Sequence, residues 1–150
     1  MEKEETISKT LMPPGKYQVI YADLTNQKSE DYLSQIPVGE IAESSSVLFL
    51  WVTTSGLDRG LKVIERWGFE YKTCMVWNKE FLHAVNDNVE ILLIGVKGSP
   101  AMIFKEHEPY RIGNKPEVIR ERIRATYLGA KLELLPDGWQ VWEPRKAKSI

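Results

Sequence analysis

Residues 47–79 read VLFLWVTTSGLDRGLKVIERWGFEYKTCMVWNK, and this stretch decides the fold class. Its opening run, Val47 to Val52, is apolar at every position, a pattern that suits a strand whose two faces are both covered. Thr53, Thr54 and Ser55 end the run, and the apolar period then changes. Leu57, Leu61, Ile64 and Trp67 fall on one side of a helix with Asp58, Arg59, Lys62 and Glu65 opposite, which predicts an amphipathic helix over 57–67 lying on a sheet. Gly68 stands where a helix C-cap favours a residue tolerant of positive φ. The segment YKTCMVWN, rich in β-branched and aromatic side chains, predicts the next strand over 71–78. Strand, covering helix and strand in that order are a unit of an α/β fold.

Upstream, KYQVIYAD predicts a strand over 17–22 that stops at Asp23. Tyr32, Leu33, Ile36, Val38 and Ile41 then recur at helical spacing broken by Pro37, which predicts one or two short helices. The polar cluster Glu43 to Ser46 bounds the second strand, expected over 47–53. Downstream, VEILLIGVK predicts a strand over 89–97. The connection before it, EFLHAVNDN, has no long helical period and permits antiparallel pairing with the preceding strand. Pro116 opens a helix over 116–127, and two strands over 131–135 and 139–142 flank the turn Pro136, Asp137, Gly138. The alternation predicts a single α/β domain: one mixed, mostly parallel sheet flanked by helices, its crevice at the carboxyl ends of the strands. Asp23, Thr53 and Lys79 fall at such ends.

A chain of 150 residues fits one domain. Pro13, Pro14 and Gly15 close a charged start, so residues 1–15 are expected as a flexible arm and 16–150 as the folded domain. Hydrophobic residues at 43% and charged residues at 27% exclude a collagen-like or wholly disordered chain. Lys and Arg number 20 against 21 Asp and Glu, so a net charge of -1 supplies no long-range pull toward nucleic acid, which would need a local basic patch. The longest apolar runs are too short to span a bilayer, and the start lacks a secretory profile. With one cysteine, these features lead us to expect a cytoplasmic protein with no membrane role.

His83 and His107 lie far apart with no cysteine spaced for zinc, so no metal site is expected. Cys74, between bulky neighbours, reads as a buried inert thiol, and most of the five tryptophans read as core. The glycines form no phosphate-binding loop. Asp23 has two readings, a cap for the following turn or a carboxylate working in the crevice. Arg111, Lys115, Arg120, Arg122 and Arg124, interleaved with Glu117 and Glu121, form either a solvated helix face or an anion-binding surface.

The succession YQVIYAD, IPVGEIA, SVLFLWVTT, VIERWGFEYKTCMVWNK, EILLIGVKG, NKPEVIRERI, KLEL and GWQVW resembles the family of adenine methyltransferases founded by the seventy-kilodalton subunit of the mRNA adenosine methyltransferase, over about residues 16–142. The family includes bacterial and phage DNA enzymes, and a phage or bacterial source suits so reduced a chain. The resemblance implies a Rossmann-like methyltransferase fold, S-adenosylmethionine as donor and the exocyclic amine of adenine as acceptor. It also implies an Asp-Pro-Pro-Trp motif, in which the Asp and a proline carbonyl hold the amine and the ring stacks on a flipped base. Here Asp23 is followed by Leu24, Thr25 and Asn26, and the interval before Tyr32 is short.

The family's Ser-His-Lys-Pro pattern reads Gly113, Asn114, Lys115, Pro116. Leu135, Pro136 and Asp137 replace an aromatic and a basic residue after Glu133 and Leu134, and Trp-Gly-Asn becomes Trp142, Glu143, Pro144. These departures fall on one pocket while the strands and Trp67-Gly68-Phe69 are kept. The expectation is therefore a catalytically inactive binding or regulatory module that needs no cofactor. Its partner would be a protein, either another methyltransferase-like chain or a second copy, or a nucleic acid. Carried over residue by residue, the resemblance assigns Asn114, Lys115 and Glu133 to the donor. Partner contacts would fall on Lys79, Lys97, Lys105, Arg111, Lys115, Arg120, Arg122 and Arg124. Two alternatives stand beside it: an active enzyme using S-adenosylmethionine, with Asp23 and Asn26 accepting the amine, and a non-catalytic sensor of S-adenosylmethionine or another nucleotide.

Overall fold

The run that opens at Val47 is the inner part of the longest strand. The computed structural model describes residues 14–25, 33, 35–78, 89–103, 115–135 and 138–143. In chain order these form β1 (Tyr17–Asp23), α1 (Val38–Ile41), β2 (Ala42–Thr53), a 3-10 turn (Thr54–Gly56), α2 (Leu57–Arg66), β3 (Glu70–Asn78), β4 (Val89–Lys97), α3 (Lys115–Thr126), β5 (Lys131–Leu135) and β6 (Gly138–Val141). The described strands make one sheet in the order β3-β4-β2-β1-β5-β6. β1 runs parallel to β2 and β5, whereas β4 is antiparallel to β2 and β3, and β6 to β5. No helix among the described residues is long and apolar enough to cross a membrane.

With β1 on one side and β4 on the other, β2 is central, and Val47 to Val52 are all buried. Alternation along the strand splits them between two cores. Leu48, Leu50 and Val52 join Ile20, Ala22, Val63, Ile64 and Trp67 beneath α2. Val47, Phe49 and Trp51 join Val19, Tyr21, Ile119, Ile123, Tyr127 and Trp142 beneath α3.

Four expectations need correction. The sheet is mixed but not mostly parallel, since among the described strands only β1–β2 and β1–β5 are parallel pairs and the other three pairings are antiparallel. β2 begins at Ala42, because Tyr17 pairs with Ala42 and Val19 with Val47, so the exposed residues Glu43 to Ser45 bulge within the strand and do not bound it. The buried stripe of α2 is Gly60, Val63, Ile64 and then Trp67, while Leu57 and Leu61 are each 37% exposed. Gly60 sets this rotation: a Cβ there would lie 2.6 Å from Val52 Cγ1 and 2.9 Å from Leu93 Cδ1, so the helix rests on the sheet through a residue that carries no apolar signal. Cys74 is exposed, because β3 is an edge strand that α2 leaves uncovered.

The end of α2 matches its reading. Gly68 has φ +83°, its N–H donates to Glu65 O (3.0 Å), and Phe69 N–H donates to Ile64 O (3.0 Å). This is a Schellman cap, and it directs the chain into β3.

Candidate functional site

β1, β2 and β5 bring their carboxyl ends to one edge of the sheet, where the helices leading into β2 and β5 lie on opposite faces. That arrangement opens a crevice in α/β folds. Asp23 sits there, in register with Trp51 of β2. Its Oδ1 accepts the Thr25 N–H (2.9 Å) and the Thr25 hydroxyl (2.5 Å), a short turn of the kind Asp forms locally. Leu24 is buried beneath α2, and its N–H donates to Trp51 O at 2.8 Å. The residues after Asp23 thus hold the chain against β2 and give the aspartate a local partner. The structure shows the turn contact of the first reading and the strand-end position that the second requires.

One step back along β1, Tyr21 pairs in register with Glu133 of β5. Its hydroxyl accepts the Trp51 indole N–H at 2.7 Å, and burial pushes the phenol up to about 12. Glu133 is only 4% exposed. Arg120 of α3 reaches it with both ends of its fork, Nη1 to Oε1 at 2.6 Å and Nη2 to Oε2 at 2.7 Å. Trp142 Nε1 adds a third bond to Oε1 at 2.9 Å. The guanidinium also lies 5.1 Å from the centre of the Tyr21 ring and 5.3 Å from that of Trp142. A bidentate charge-assisted pair between aromatic rings is a strongly held arrangement.

The helix explains this placement. Ile119, Ile123 and Tyr127 form the buried stripe of α3, and Tyr127 donates its hydroxyl to Ala101 O. Arg120 and Arg124 share a flank one residue round, turned toward Trp142. Arg122, on another flank, donates to Ile103 O at 3.4 Å.

The sequence-predicted residues divide accordingly. Glu133, Arg120 and Arg124 come together around Trp142. Lys97 does not join them: it lies beneath α2, donating to Gly39 O at 3.3 Å and standing 5.8 Å from the Phe69 ring centre. Lys115 opens α3. Asn26, Lys79, Lys105, Arg111 and Asn114 lie outside the described residues, as do residues 1–13 of the expected arm.

Sequence reasoning missed Glu90, which is buried on β4 in register with Thr53 and Trp77 at the crevice end. Its signal was a lone acid heading an apolar strand. The pairing of Arg120 with Glu133 was also missed, and the two positions carry no local signal that joins them.

Whether a methyl donor fits can be tested at Glu133. A buried carboxylate has about four acceptor positions, and Arg120 and Trp142 take three of them, so one is left on Oε2 and Glu133 cannot hold both hydroxyls of a donor ribose unless Arg120 leaves. The residues present do not fit a two-hydroxyl donor contact at this position.

A mixed α/β sheet of this order, flanked by helices on both faces, is a Rossmann-like methyltransferase fold. The MT-A70 family model matches residues 11–125, and the chain belongs to that family. A protein of Medicago truncatula that bears the name "Putative N(6)-adenosine-methyltransferase MT-A70-like" is 28% identical over 161 aligned residues. The alignment covers 83% of this chain and 26% of that relative, so the chain spans about a quarter of its length.

Proposed function

We propose that this chain is an MT-A70 scaffold without methyl-transfer activity, acting as a binding or regulatory module for a nucleic-acid or protein partner. The observation that carries this reading is the engagement of Glu133 by Arg120 and Trp142, which takes both carboxylate oxygens and three of about four acceptor positions. Catalysis requires groups whose hydrogen bonds are realised with the substrate and transition state. Here the chain itself occupies Glu133, and Thr25 occupies one oxygen of Asp23. The motif residues after Asp23 add to this support, since Leu24, Thr25 and Asn26 supply neither an aromatic ring for a flipped base nor a proline turn. A donor held through two hydroxyls at Glu133 would need Arg120 to leave, and the carboxylate without its ion pair would be costly to bury.

The test is methyl transfer from isotopically labelled S-adenosylmethionine to adenine-containing DNA and RNA by the purified full chain. Incorporation at the level of the protein-free blank is expected. Incorporation that disappears in Asp23→Ala would overturn the proposal.

A further inference from the structure

The two stacked cations of α3 are used unequally. Arg120 gives its fork to Glu133, so their charges cancel. Arg124, one turn on, lies 4.8 Å from the centre of the Trp142 ring, and none of the described residues gives it a hydrogen bond or an ion pair. The backbone N–H of Trp142 donates to Lys131 O at 2.9 Å, which fixes the strand that carries a further cation. Lys131 Nζ spends one hydrogen on Gly129 O at 2.8 Å and has two more. Lys131 stands two residues before Glu133 and so on the same face of β5, the face that α3 covers, and none of the described carboxylates pairs with either Arg124 or Lys131. Lys131 is in register with Val19, upstream of Asp23, which places this pair toward the opposite end of the strands from the crevice.

We propose that Arg124 and Lys131 bind a phosphate group of a nucleic-acid backbone. The proposal rests on the reading of the chain as a binding module and gives that module a contact point. Phosphate suits the geometry better than a carboxylate does. A carboxylate is planar and is fully served by one fork, as Glu133 is by Arg120. A guanidinium and an ammonium arriving from different elements suit a tetrahedral anion with oxygens in several directions. The Arg124 guanidinium carbon lies 4.8 Å from the centre of the Trp142 ring, a contact that uses none of its N–H donors in an ion pair with a described residue. Burial first, and then the Arg124 charge, hold the Lys131 ammonium below the usual lysine range, so an anion between the two would relieve both. Arg124 also lies in the last turn of α3, where any cation offsets the helix carbonyls, so the test must separate that role from binding.

The full chain is titrated with a single-stranded oligodeoxythymidylate of about 20 nucleotides, across about 50 to 200 mM salt. Inorganic phosphate and an oligoglutamate peptide are titrated alongside. The oligonucleotide should bind with salt-dependent affinity. Arg124→Lys and Lys131→Gln should each weaken it about fivefold or more, and the double variant should flatten the logarithmic salt slope by about 0.7 for the phosphate lost. Arg124→Lys keeps the helix-end charge, so its melting temperature should match wild type while its binding falls. Three results overturn the proposal: no oligonucleotide binding by the wild type, variants that bind like wild type, or oligoglutamate or free phosphate binding through these residues where the oligonucleotide does not. Methyl-donor binding is measured separately in the same proteins. A positive result there would sink the reading of Glu133 as closed to the donor and leave the phosphate site standing or falling on the oligonucleotide titration alone.

Discussion

Replacing Arg120 by Met should be among the most damaging single changes on the α3 face, and the structure sets its size. The substitution keeps most of the side-chain volume but leaves Glu133, 4% exposed, with only the Trp142 indole as partner among the described residues. Removing one member of a buried ion pair costs roughly 3–5 kcal/mol. The Arg120 side chain is 29% exposed, which places the pair at the margin of the core and favours the low end of that range, about 3 kcal/mol with the ring contacts included. For a domain of this size that corresponds to a fall in Tm of about 6–12 °C. Glu133→Gln should cost less, about 1 kcal/mol, because Arg120 can turn to water and Gln retains an acceptor for Trp142. The double variant Arg120→Met/Glu133→Gln should be more stable than Arg120→Met alone, since no charge is then buried without a partner. Urea unfolding of the four proteins measures all of this. An Arg120→Met deficit below about 0.5 kcal/mol, or a double variant showing the full sum of the single costs, would refute the reasoning.

Gly98 has φ +70°, and a Cβ there would lie 2.5 Å from Ser44 O, so Gly98→Ala should cost about 2–3 kcal/mol by thermal or urea unfolding; Gly15→Ala, at φ +118° with nothing within 4 Å, should cost less. The Tyr21 phenol, pushed up to about 12 by burial, contributes stability that is full below its ordinary value of 10.0 and is lost as the pH climbs through about 12. Wild-type Tm should fall across that interval, and Tyr21→Phe should fall less; equal slopes would count against a buried neutral phenol. Cys74 on the open edge of β3 should react stoichiometrically with a chromogenic disulfide reagent in the native state. A requirement for denaturant would contradict its exposure.

Strands were the most legible part of this fold. Val47 to Val52 could be placed because a central strand buried on both faces must be apolar throughout, and Gly68 because positive φ selects glycine. Features that depend on strand order were not legible. Cys74 has the neighbours of a core residue, and only the position of β3 at the sheet edge exposes it. Gly60 contributes nothing to an apolar periodicity, yet it is where α2 touches β2 and β4. In the candidate site, Asp23 was found from its place at a strand end, and its partner Thr25 only from the geometry. Arg120 and Glu133 each have an ordinary local context, a charged helix and a short strand. Their pairing follows from α3 crossing β5, which no sequence spacing encodes. Lys97, grouped by charge with the α3 cations, lies on the other face, because strand alternation sends it beneath α2.

The central claim is that Glu133, which the resemblance assigns to the donor, and Asp23, which it assigns to the adenine amine, are engaged by the chain's own groups in place of donor and substrate. Calorimetric titration of the purified full chain with S-adenosylmethionine tests it most directly. Binding no tighter than about 1 mM, a free energy of about -4 kcal/mol, is the predicted result. Saturable binding at micromolar concentrations, abolished by Glu133→Gln, would contradict it.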